Sequence, residues 1–197
     1  MRLTAILTAI LLAGPAMAAD GTDPDWPCIQ RKQPHLSLGQ MWSGPIPDDR
    51  IMQLAQDEQI SALAARLEQR RLPIETAEAE IAEFAGTTDN DGLTALMVAI
   101  LNRIEPDRSA LIEGIARYGR KQVQLAQAIE KRRETMARLE AADPPDFDAI
   151  DAEEEALDWD QRIFIERQKS LTYVCETPVI LEQRAFALAR AIAGHLQ

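Results

Sequence analysis

The chain has 197 residues and a formal net charge of −11, from 32 acidic and 21 basic side chains. This excess of negative charge disfavours nucleic acid and anionic membrane surfaces as partners, because both carry negative charge themselves. The length fits one domain. Two histidines and an aromatic content of 5% leave few residues suited to catalysis, so the composition favours a non-catalytic protein.

The first 18 residues have the pattern of a secretory signal peptide. Arg2 precedes an apolar stretch over residues 3–12, and Ala16-Met17-Ala18 follows as a small-x-small cleavage pattern. The apolar stretch is too short to span a membrane, and no later stretch approaches the required length of about 18 uncharged residues. We therefore predict cleavage near Ala18, a periplasmic or secreted protein, and no transmembrane segment after cleavage.

Two cysteines remain after that cleavage, Cys28 near the start and Cys175 near the end of the chain. In an oxidising compartment an even pair of cysteines is interpreted first as a disulfide. A redox-active pair is the alternative, but it usually has the close C-x-x-C spacing that is absent here. We predict a structural disulfide between Cys28 and Cys175.

Residues 19–49 form an irregular N-terminal arm in this interpretation. They are rich in turn-forming residues and show neither helical nor strand periodicity, which favours an extended segment. The arm nevertheless contains Trp26 and Trp42, which a merely disordered segment rarely has. We expect it to lie along the helices, held by Cys28, with both indoles as packing anchors.

Beyond the arm, apolar residues recur at helical spacing to the end of the chain, and no alternating run of β-branched residues predicts a strand. Two short helices are expected over residues 51–71, a third over residues 73–86 and a fourth that ends at Pro106. Thr177-Pro178 predicts the start of a separate last helix. The fold class is therefore all-α, with six or seven helices.

The dominant element is a long antiparallel helical hairpin, predicted over residues 107–174 of a helical domain that spans residues 50–197. Its first helix has a coiled-coil-like apolar seam with alternating spacings of four and three residues, interrupted by two polar residues. The seam consists of Leu111, Ile115, Tyr118, Gln122, Leu125, Ile129, Arg132, Met136 and Leu139. An exposed heptad face could pair within one chain or between two copies, so a homodimer is a further possibility.

The turn of the hairpin sets its register, because residues equidistant from Pro144-Pro145 lie opposite each other. This register places Arg132 beside the acidic run that begins at Glu153. It also places Cys175 opposite Gly114, with Gly119 one turn further along. Glycines weaken a helix by about 1 kcal/mol each relative to alanine and often mark close approach of another backbone. We therefore expect the arm to cross the hairpin at these glycines.

The tip of the hairpin, residues 136–164, is the first candidate for a partner surface, and residues 26–42 of the arm are the second. Carboxylates concentrated around the turn could dock a basic partner or weakly bind a divalent cation. The alternative is a solvated helix face with internal ion pairs such as Asp158 with Arg162. The candidate partner-binding residues are Glu153, Glu154, Glu155, Trp159, Trp26 and Trp42.

No catalytic, cofactor-binding or metal-binding residue is predicted. His35 and His195 have no neighbours at metal-ligand spacing, and no serine lies in a Gly-x-Ser-x-Gly context. The leading hypothesis is a protein-interaction or scaffolding element whose protein partner is not identified by the sequence. The alternatives are a periplasmic holdase for unfolded clients and a helical bundle that senses a small ligand.

Overall fold

The computed structural model describes Asp23 and residues 25–197, and the predicted signal peptide lies outside these residues. Six α-helices and no strand occur in this part of the chain. The helices are α1 (Leu38–Met41), α2 (Asp49–Leu54), α3 (Glu58–Leu67), α4 (Ile74–Ala85), α5 (Asn90–Glu140) and α6 (Phe147–Ala193). Helices α5 and α6 pack against each other as a hairpin. The all-α fold dominated by a helical hairpin is confirmed.

The hydrophobic core lies at one end of the hairpin, which we call the base. There α2, α3 and α4 surround the first turns of α5 and the last turns of α6. Every residue from Gly92 to Ile100 is buried, because this part of α5 runs through the centre of the base. The short helices begin at good caps, since Asp48 and Asp57 accept hydrogen bonds from the first backbone N–H groups of α2 and α3. Helix α6 contributes four buried residues to this core, namely Ala185, Leu188, Ala189 and Ile192.

Both long helices continue through a proline at which the sequence predicted a break. Pro106 lies within α5 and Pro178 within α6, so the hairpin is longer than residues 107–174 at both ends. A proline inside a helix removes one hydrogen bond and costs about 3 kcal/mol. Here each helix is packed on both sides of its proline, and this tertiary packing outweighs the local cost.

The predicted seam faces α6 of the same chain. Each of its nine positions is buried or half-buried. Its polar members bond across the hairpin, where Gln122 Nε2 donates to the carbonyl of Phe164 at 3.2 Å. The Tyr118 hydroxyl likewise donates to the carbonyl of Arg167 at 3.1 Å. The seam therefore pairs within one chain. None of the helices that the structure describes is both long and apolar enough to cross a membrane.

The arm crosses the hairpin at Gly119, where the absence of a side chain allows the two backbones to approach closely. The Sγ atoms of Cys28 and Cys175 are 2.01 Å apart, at disulfide distance. A Cβ atom on Gly119 would lie 2.5 Å from the carbonyl oxygen of Asp25 and 3.0 Å from Pro27. The predicted crossing is thus confirmed at Gly119. It is wrong for Gly114, whose added Cβ would meet only the Arg117 side chain at 3.8 Å.

Alanine substitutions at the two glycines should have opposite effects on stability. Gly119→Ala forces the arm away from α5, and we expect it to lower the free energy of unfolding by roughly 1–3 kcal/mol, as overpacking does. Gly114→Ala is the matched control. It has room for the methyl group and should raise the free energy of unfolding by up to about 1 kcal/mol through helix propensity. Urea unfolding measures both, and equal effects of the two variants would contradict the close crossing at Gly119.

Candidate functional site

The hairpin tip projects away from the base. The hydrophobic core of the base ends at Ile104 on α5 and resumes at Ala185 on α6. Between these limits the arm packs on the hairpin as far as Gly119 and the neighbouring Arg120, which forms an ion pair with the arm. Helix α5 then continues to Glu140. At 1.5 Å per residue this last part is about 30 Å long. It exposes more of its surface than any other part of the long helices.

Within the tip, the three predicted glutamates have different environments. Glu153 lies inside the hairpin, where it accepts a hydrogen bond from Arg132 Nη1 at 3.2 Å. Asp160 accepts from Arg132 Nε at 2.7 Å. Hydrogen bonds to Asp160 and then to Glu153 raise the pKa of Arg132. The predicted register of the hairpin is correct here, and it makes Glu153 an internal partner of the seam arginine.

Glu154 and Glu155 are exposed to solvent, as is Asp158. The internal pair that the sequence suggested between Asp158 and Arg162 is absent from the ion pairs of the described residues. The carboxylates of these three residues therefore face solvent.

Two aromatic side chains are strongly exposed among these carboxylates. Phe147 is 70% exposed and Trp159 is 61% exposed, although each is large and apolar. Phe147 opens α6 immediately after the turn, where Asp146 caps the helix by accepting from the Ala149 N–H. The sequence had singled out Trp159, whereas Phe147 was missed because a residue next to a turn gives no periodicity signal.

The two tryptophans of the arm are both half-buried. Trp42 packs against the core of the base and donates through Nε1 to the Pro45 carbonyl at 2.9 Å. Trp26 is half-buried and donates to the Gln30 carbonyl at 2.6 Å. The predicted packing role is confirmed for Trp42, whereas Trp26 contacts Gln30 and Lys32 of the arm itself. Their partial burial makes them poorer contact residues than Trp159.

Buried charge holds the arm to the hairpin. Arg108 is fully buried, and its guanidinium donates to the Gln33 carbonyl at 2.6 Å and to the Pro34 carbonyl at 3.3 Å. It also donates through Nε to Glu182 of α6 at 2.8 Å. One turn earlier on α5, Glu105 accepts from the Leu36 N–H at 2.9 Å. Sequence reasoning missed this cluster because the predicted hairpin, residues 107–174, contained Arg108 but excluded Glu105 and Glu182.

One cluster combines a histidine, a serine and a carboxylate. His35 Nδ1 lies 3.1 Å from Glu105 Oε1 and 3.2 Å from Ser109 Oγ. A nucleophile relay needs the carboxylate on one ring nitrogen and the hydroxyl on the other. Both contacts here involve Nδ1, so the arrangement fits a clamp on the arm better than a catalytic triad. Among the described residues, no three side chains of His, Cys, Asp or Glu are placed to hold a metal ion.

Comparison of the chain with protein-family models, with curated proteins and with solved structures finds no match.

The arm should loosen as the pH falls through the titration of Glu105. Burial raises the pKa of Glu105, but hydrogen bonds from Ser109, the Leu36 N–H and His35, together with the charge of Arg108, outweigh it and lower the pKa. Because the pKa is lower in the folded protein, the stabilisation is complete above the unfolded pKa of about 4.3 and disappears as the pH falls through the folded value.

We therefore expect Glu105→Gln to cost roughly 1–2 kcal/mol of unfolding free energy at pH 7, and progressively less below about pH 4. Urea unfolding of the wild type and the variant between pH 7 and pH 3 provides the difference. Glu113→Gln, at an exposed position on the same helix, serves as the control and should change little. A difference for Glu105→Gln that stays constant with pH would contradict this account of the clamp.

Proposed function

We propose that the protein is a secreted or periplasmic, non-catalytic helical scaffold whose hairpin tip binds a protein partner. The observation that carries this proposal is the exposure of Phe147 and Trp159 on a tip that projects about 30 Å beyond the arm. Large aromatic side chains are enriched in protein interfaces, and exposed apolar groups rimmed by polar residues often mark such surfaces. The carboxylates of Glu154, Glu155 and Asp158 form that rim.

The construction of the hairpin supports this role. A partner surface must be held in place, and the tip is continuous with α5 and α6, whose other ends lie in the core of the base. Arg132 bridges Glu153 and Asp160 inside the tip and so fixes one helix against the other. Residues on rigid elements lose less conformational entropy on binding than residues on loops. The tip therefore meets a partner at low entropic cost.

The cysteine pair supports the proposed location. Disulfides persist in oxidising compartments such as the bacterial periplasm and the extracellular space, and the Cys28–Cys175 distance fits such a bond. The predicted signal peptide leads to the same compartments. Non-catalytic function is supported by the geometry around His35, which suits a clamp on the arm.

An affinity pull-down tests the proposal. The tagged mature protein is the bait, and a periplasmic extract under non-reducing conditions is the source of the partner. The tip variant is Glu154→Lys/Glu155→Lys/Trp159→Ala, which leaves the internal Glu153 in place. We expect one stoichiometric partner, whose affinity falls at least about tenfold in this variant, or about 1.4 kcal/mol.

The matched control is Glu78→Lys/Glu83→Lys, which makes the same change of charge at exposed positions of α4 in the base. It should retain the partner fully, and circular dichroism should show that both variants are folded. Equal retention by the tip variant and the wild type would remove the tip from the proposal. Retention of many unrelated proteins by every variant would instead favour a holdase.

A further inference from the structure

Trp159 stands beside a shallow depression on the outer surface of α6. The depression has a volume of about 490 Å³. Its lining residues all belong to α6 and are Ala152, Glu155, Ala156, Asp158, Trp159 and Arg162. The two alanines share one face with Trp159, because at about 100° per residue these positions lie within about 60° of each other. A helical side chain leans toward the N-terminus of its helix, so the indole covers the turn that contains Ala156.

The depression lies on the side of the hairpin away from the arm. The arm joins α6 through Cys28 and Cys175, and Cys175 therefore marks the side of α6 on which the arm lies. From Trp159 to Cys175 the direction of the side chains turns by about 160° around the helix. None of the described residues of the arm lines the depression. A partner can therefore reach Trp159 without displacing the arm.

The charged side chains that line the depression form no ion pair within the described part of the chain. They are Glu155, Asp158 and Arg162, and all three are exposed. The Trp159 ring, which is 61% exposed, is also free of a cation. Among the described residues, the cation that lies over an indole is Lys32, and the indole is that of Trp26. The depression thus presents two unpaired carboxylates beside an open aromatic face.

We propose that this depression binds an amphipathic helix of a partner protein, with a lysine or arginine of that helix over the Trp159 ring and beside Glu155. The inference rests on the proposed function, because it gives the chemistry of the partner that the tip binds. A cation within about 6 Å of the centre of an indole is attracted to its face. Glu155 lies one turn before Trp159, on the side toward which the indole leans, so its carboxylate accepts a hydrogen bond from the same cation.

The small residues of the depression favour a helix as the partner element. The distance between the axes of packed helices is about 8–10 Å and depends on the side chains at the contact, so Ala152 and Ala156 allow close approach. Glu155 and Arg162 are about two turns apart and within about 20° of each other around α6. A matching helix therefore carries a base opposite Glu155 and an acid opposite Arg162, also about two turns apart.

Charge at longer range acts in the same direction. The chain has a formal net charge of −11, so its field attracts a basic partner and repels an acidic one. Close to the depression, Asp151 provides a further exposed carboxylate one turn before Glu155. Complementary charge mainly accelerates association and selects the partner, whereas the indole and the two alanines supply the apolar contact. The inferred partner helix is therefore basic overall.

Isothermal titration calorimetry of the oxidised mature protein with a synthetic helical peptide tests the inference. The peptide carries alanine along one face, with a lysine at the centre of this face and a glutamate two turns away. A second peptide has acetyl-lysine in place of the lysine, which removes the positive charge. We expect the lysine peptide to bind at least about tenfold more tightly, because only its cation is attracted to Trp159 and Glu155.

Three variants locate the binding of the lysine peptide. Trp159→Leu keeps an apolar side chain but removes the aromatic face, and should weaken binding roughly threefold to thirtyfold. Its matched control is Phe147→Leu, the same kind of change at a tip residue that is 70% exposed and points about 120° away around α6. This control should leave the affinity unchanged. Ala152→Leu, at an exposed position, fills the depression and should weaken binding by preventing close approach.

Equal affinity for the lysine and acetyl-lysine peptides would overturn the inference, and so would equal effects of Trp159→Leu and Phe147→Leu in folded variants. These outcomes are distinct from failure of the proposed function. If the tip variant loses a partner in the pull-down but the protein does not distinguish the two peptides, the tip binds a partner of different chemistry and only the basic helix is contradicted. If the tip variant retains the partner of the wild type, the proposed function itself fails.

Discussion

The arrangement of the whole chain depends on one buried guanidinium, that of Arg108. It lies where three parts of the structure meet, because it bonds the arm through two carbonyl groups and α6 through Glu182. A buried charge is tolerated only when its hydrogen bonds are satisfied, and loss of one partner of such a pair typically costs 3–5 kcal/mol. Arg108 thus makes the position of the arm a condition for the packing of α5 on α6. The arm and the two long helices are consequently coupled at this point, in addition to the Cys28–Cys175 pair.

A second arginine, Arg184, joins separate elements of the base through hydrogen bonds to backbone carbonyls. Arg184 of α6 donates to the carbonyls of Leu67 and Leu72, which lie at the end of α3 and in the loop before α4. Burial lowers its pKa, as expected when a charged group is partly removed from water. Through Arg184 and Arg108, the last part of α6 organises both the short helices and the arm. Both Glu182 and Arg184 lie beyond Pro178, one helical turn or more after it, so the same short part of α6 does both.

The parts that the sequence predicted well are those set by local periodicity. The seam spacing predicted which face of α5 packs on α6. The turn position predicted that Arg132 lies near Glu153 and that the arm crosses near Gly119, although it did not predict Asp160 as a partner and was wrong for Gly114. The breaks at Pro106 and Pro178 were wrong because the cost of a proline is local, whereas the packing that outweighs it comes from distant residues. That error also hid Arg108. Its partner Glu182 is equidistant from the turn to within one residue, so a hairpin extended through both prolines would have predicted the pair.

The candidate site was predicted as a region, but the roles of its residues needed the structure. Glu153 and its neighbours Glu154 and Glu155 are alike in sequence, and only the position of Arg132 separates the internal carboxylate from the two outer ones. The arm makes a similar distinction between the two sides of the hairpin, since it crosses α5 at Gly119 and joins α6 at Cys175. Trp159 and Ile165 of α6 are six residues apart and point about 120° away from each other, so they face different sides of the hairpin.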